Sequence, residues 1–132
     1  METALSYIRD PDVDILWLTP QENARIDCDV LARLTIELGR DAARESVWQT
    51  VDRLNGALSQ MADAWARDDG PGIAAALTIL EPDFRALGMD MALHVARDVA
   101  QVLSGGDDAA LAATIARLLR LGDAGAAVFA GT

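Results

Sequence analysis

Apolar residues recur along this chain at alternating spacings of three and four, the pattern of helices that each bury one face. Val47, Val51, Leu54, Leu58, Met61 and Trp65 keep this rhythm over nearly three heptads and predict a long helix from about Asp41 to Arg67. Before it, Ile26, Val30, Leu31, Leu34 and Leu38 share a face, and Gly39 follows where a left-handed C-terminal cap belongs. Thr19, Pro20 and Glu22 supply a capping residue, a proline at the first helical position and an acid three places after the cap, so this first helix is expected to start at Pro20. Asp68, Asp69, Gly70, Pro71 and Gly72 form a breaker, after which Ile73, Leu77, Leu80, Phe84 and Leu87 make a stripe that stops at Gly88. Met89, Ala92, Ala96, Val99 and Leu103 begin another, closed by Ser104, Gly105 and Gly106, and Leu111, Ile115, Leu118, Leu119 and Leu121 carry the last.

The breaks between these stripes are short, which makes sequential helices antiparallel neighbours. The expected fold is all-α: an antiparallel four-helix bundle with an additional N-terminal helix or arm. Residues 1–19 are assigned to the arm, 20–122 to the bundle and 123–132 to a tail whose Gly and Ala residues have little to bury. Asn55 and Gly56 lower the propensity of the long helix locally, and Pro82 should kink its own helix by withholding the amide that would bond to the carbonyl of Thr78.

Composition supports the helical reading. Hydrophobic residues make up 52% of the 132 positions but aromatics only 5%, a balance that disfavours strands. The net charge of −10 repels nucleic acid and anionic membrane surfaces. One cysteine, Cys28, expected to be partly buried and structural, excludes an internal disulfide, and with a single histidine it leaves too few ligands for a closed zinc site. No metal or cofactor is expected. The N-terminus lacks a basic, then apolar leader, and no apolar run approaches the roughly 18 residues of a membrane span, so a cytoplasmic protein is expected.

The order of landmarks resembles that of histidine-containing phosphotransfer (HPt) domains, the helical carriers that pass phosphoryl groups between receiver domains in phosphorelays. Ile26, Asp27, Leu31, Leu34, Leu38 and Gly39, the long amphipathic helix and the acidic turn at Asp68 resemble the segments that lead to that family's active helix. Leu87, Gly88 and Met89 resemble the turn that ends it, and Ser104 to Asp107 the turn before the final helix. The family places its histidine ten residues before the turn glycine, which here is Thr78. Two places on, Leu80 matches the family's leucine; Glu81 stands where a lysine should, and Pro82 where a glycine should.

Those departures bear on the chemistry. An imidazole can take a phosphoryl group from an aspartyl phosphate, and a neighbouring cation screens the charge of the adduct. Thr78 offers no comparable nucleophile, and a carboxylate one turn away repels phosphate. At about 100° per residue, Thr78, Glu81 and Arg85 fall on the flank or outer face, away from Leu77 and Phe84. The resemblance therefore implies a degenerate member, not an enzyme, whose surface at Thr78, Glu81, Pro82 and Arg85 binds a protein partner such as a receiver domain or histidine kinase.

His94, the single histidine, competes for the carrier's role: Arg97 lies three places on, and it faces away from its helix's apolar stripe. Against it, Asp98 occupies the glycine position, and one helix follows where the family needs two. A third reading is a purely structural dimeric bundle. Trp17, with Ile15 and Leu18 in the arm, is the expected homodimer contact, and Trp48 and Trp65 are expected as core or interface anchors. Glu81, Asp83 and Asp90 are close in sequence but read as a solvated face.

Overall fold

The computed structural model describes residues 26–130, and these form five helices. Helix α1 spans Cys28–Leu38, α2 Arg40–Ala66, α3 Gly70–Ala86, α4 Asp90–Gly105 and α5 Asp108–Ala130. The linking segments hold three residues or fewer, which forces consecutive helices to run antiparallel. Helix α2 packs on α3 and α5, and α4 packs on the same two, so α2 to α5 surround one core while α1 lies outside against α2.

Each helix starts and stops for a local reason. Asp27 is extended, and its carboxylate accepts from the Asp29 amide at 3.0 Å, capping α1. That cap corrects the expected start at Pro20: Ile26 pairs with Met89 in an antiparallel bridge, so the helix carrying Leu31 and Leu34 begins only at Cys28. Pro20 and the arm, including Ile15, Trp17 and Leu18, lie outside the described residues. Asp69 caps α3 by accepting from the Gly72 amide at 2.9 Å, and Asp107 caps α5 by accepting from Ala110 at 3.0 Å. Helix α3 stays helical through Pro82.

The stripes read for α2 to α5 face inward, whereas that of α1 contributes no buried residue and its Leu38 is exposed. Leu54, Met61, Leu80, Phe84, Val95, Val99, Ile115, Leu118 and Leu121 are fully buried in one continuous core. Trp65 departs from its stripe and is exposed; the buried residue of that last turn of α2 is Ala64, whose carbonyl accepts from the Asp69 amide of the next turn. Trp48 is exposed as well, so neither tryptophan is a core residue of the chain. The expected tail after Gly122 is also corrected. Helix α5 continues to Ala130, with Ala126 and Phe129 buried, because Gly122 and Gly125 let it approach its neighbours closely. A Cβ on Gly122 would fall 2.7 Å from Leu58, and one on Gly125 would collide with the side chain of Met89.

The turn between α3 and α4 is the tightest constraint. The Met89 amide donates to the Phe84 carbonyl at 2.8 Å and the Gly88 amide to the Arg85 carbonyl at 3.2 Å, the two bonds of a Schellman cap. Gly88 has φ of +71°, and the Asp27 amide donates to its carbonyl at 2.7 Å. A Cβ there would sit 2.7 Å from the Asp27 carbonyl oxygen, a backbone atom that cannot swing aside.

Gly88→Ala is expected to destabilise the fold by at least about 1–2 kcal/mol from backbone strain alone. Gly56→Ala, in the middle of α2 with nothing within 4 Å of the new methyl, is expected to stabilise it by about 0.5–1 kcal/mol. Urea titration of both variants checks the opposite signs. Leu80→Ala, at the centre of the core, should cost about 2–5 kcal/mol in the same measurement.

Candidate functional site

Thr78 sits at the middle of α3 and is exposed, its hydroxyl donating to the Ala75 carbonyl at 2.6 Å. Leu77 and Leu80 on either side of it point into the core, so the helix's own periodicity turns Thr78 outward. Pro82 and Arg85 are exposed next to it. Glu81 is half-buried and reaches across to α4, where the Nε of Arg97 lies 3.7 Å from its carboxylate. A shallow groove runs between the two helices, with Leu77 and Leu103 beneath and Thr78, Glu81, Ala100 and Ser104 along it.

His94 is on α4, one turn before Asp98, with its side chain 71% exposed and its Nε2 3.8 Å from the Asp98 carboxylate. Arg97, the cation that His94 would need, is the residue paired with Glu81. The helices that carry Thr78 and His94 are thus joined by a Glu81–Arg97 contact that sequence spacing did not reveal.

Asp83 corrects the reading of a solvated acidic face. It is buried, 4% exposed, on the side of α3 that packs against α2. Arg53 of α2 grips it side-on: Nη2 donates to Oδ1 at 2.8 Å and Nε to Oδ2 at 3.0 Å. This fork satisfies both carboxylate oxygens with charge-assisted bonds, the arrangement that makes burial of an acid tolerable. The hydrogen bonds from Arg53 to Asp83, and then the attraction of the carboxylate's charge, raise the guanidinium further above its ordinary range. Nothing local announces it: the partners are 30 residues apart, on helices whose facing sides become known only once packed.

Cys28 was expected to be partly buried and is exposed, because it occupies the first position of α1 beyond the cap. Among the described residues no group of three or more histidine, cysteine or acidic side chains is placed to hold a metal ion. No helix among them is long and apolar enough to cross a membrane.

Arg53→Met should lower the thermal midpoint by leaving a buried carboxylate without its partner, and adding Asp83→Leu should recover most of the loss. Circular dichroism melts of the two single variants and the double variant check this. Losses that simply add would show that the pair contributes no coupling.

The chain matches no protein-family model, no curated protein and no solved structure.

Proposed function

We propose that this chain is an HPt-like four-helix bundle that works as a protein-interaction module in signalling, without transferring phosphoryl groups itself. The observation that carries the reading is the position of Thr78: exposed at mid-helix on α3, ten residues before the glycine of the turn that ends that helix. The packing of α2 to α5 around one core, with α3 presenting an outer face, supports the same reading.

The chemistry of the face argues for binding over transfer. Thr78 has its hydroxyl engaged with its own helix and no imidazole or base to activate it. Glu81 holds a negative charge where an incoming phosphoryl group would need a positive one, and it occupies Arg97. What remains is a mixed surface of a threonine, an ion pair, a proline and Arg85, suited to complementing the face of a receiver domain or a histidine kinase.

His94 supports the second reading, an active carrier, through its exposure alone. Phosphorylated at Nε2, it would bring the phosphoryl group against the Asp98 carboxylate, which disfavours the adduct. A dimeric bundle with no signalling role is the third.

Two measurements separate these readings. Titration calorimetry against the receiver and kinase domains encoded in the same genome should find a binder whose affinity falls at least about tenfold, or about 1.4 kcal/mol, with Thr78→Arg/Glu81→Arg. Circular dichroism should show that variant still folded. The complete absence of a binder would leave the structural bundle standing. Incubation with a radiolabelled phospho-receiver should leave the chain unlabelled; acid-labile label that disappears in His94→Gln would establish the carrier instead.

A further inference from the structure

At the opposite side of the molecule from the α3–α4 face, a groove opens between α1, α2 and the end of α5. Leu31 and Leu34 of α1, Ala43 and Val47 of α2 and Phe129 of α5 line it, with Arg40 and Arg44 at its α2 wall. Helix α1 has no fully buried residue despite this apolar face: Leu31 and Leu34 are half-buried and Leu38 is exposed. An 11-residue helix is marginal unless packing supports it, so the groove is apolar surface that a further element would stabilise.

The chain carries a segment with matching chemistry. Positions 15–18 read Ile-Leu-Trp-Leu, the most concentrated apolar run before α1, and Asp10, Asp12 and Asp14 precede it directly. An apolar quartet led by carboxylates complements an apolar groove edged by two arginines, in a protein whose charge otherwise repels acidic partners. The tether also suits. Ile26 is held at Met89, whose side chain lies against Gly125, one helical turn of α5 before Phe129. The eight steps from Leu18 to Ile26 can span up to about 27 Å, while the run of α1 from Cys28 to Leu34 rises only about 9 Å.

We propose that residues 15–18 occupy the α1–α2–α5 groove of their own chain, with Trp17 seated beside Leu34, Val47 and Phe129 and with Asp12 and Asp14 facing Arg40 and Arg44. The covalent connection favours this occupant over a second copy, because a short linker presents the segment at an effective concentration in the millimolar range. This assignment is independent of any signalling partner, since it concerns the face remote from Thr78.

The test uses the full chain carrying Trp48→Phe and Trp65→Phe, both at exposed positions, so that Trp17 alone reports. Its emission should be blue-shifted and poorly quenched by acrylamide, unchanged on dilution, with a monomer by sedimentation. Leu34→Lys/Val47→Lys, or Arg40→Glu/Arg44→Glu, should raise the quenching constant several-fold. Asp12→Arg/Asp14→Arg added to the second variant should lower it again, and circular dichroism should show these variants still folded. Solvent-like emission in the parent would overturn the proposal, as would indifference to the groove substitutions. Quenching that rises on dilution in step with dissociation of a dimer would also overturn it, making the occupant a second copy.

Discussion

The geometry of Gly88 is the constraint on which the other elements converge. Its left-handed backbone closes the Schellman cap of α3, its carbonyl receives the Asp27 amide that precedes α1, and the next residue begins the approach to α4. One residue thus ends one helix, aims a second and anchors the start of a third. No side chain fits there, because the space that a Cβ would fill belongs to the Asp27 backbone. Met89 extends the same junction inward, filling the room that Gly125 leaves on α5, so the last helix is brought into register by the turn that joins the third and fourth.

Much of this was legible from residue spacing. The three-and-four rhythm located the inward faces of α2 to α5, and Gly39, Gly88 and Gly106, all with positive φ, stand where sequence reading placed helix ends. The misreadings share a cause: each treated a residue by its local tendency when a distant contact decided. Gly122 and Gly125 suggested a loose tail, yet small residues are what a close helix contact requires when Leu58 and Met89 lie opposite. Thr19 and Pro20 form a sound capping pattern, yet Asp27 caps α1 itself, and its backbone is committed to Gly88. Asp83 looked like a surface acid because its arginine stands on another helix.

The candidate surface was half legible in the same sense. Counting back from Gly88 placed Thr78 on the outer face of α3, where it is found, whereas the meeting of Glu81 with Arg97 required knowledge of how α3 and α4 face each other. That contact changes how His94 and Thr78 relate. Arg97, the cation that His94 would need, is engaged by Glu81 of the helix that carries Thr78.

The forked grip of Arg53 on Asp83 carries a mechanical consequence. Apolar side chains tolerate a helix rolling about its long axis, since one methyl contact can replace another, but two parallel N–H to oxygen bonds tolerate almost none. Helix α3 is therefore keyed to α2 at a set azimuth, and the direction in which its outward residues project is decided by a pair on its far side. Substitutions can accumulate on the outward face without turning it, which leaves that face free to change its chemistry while keeping its aim.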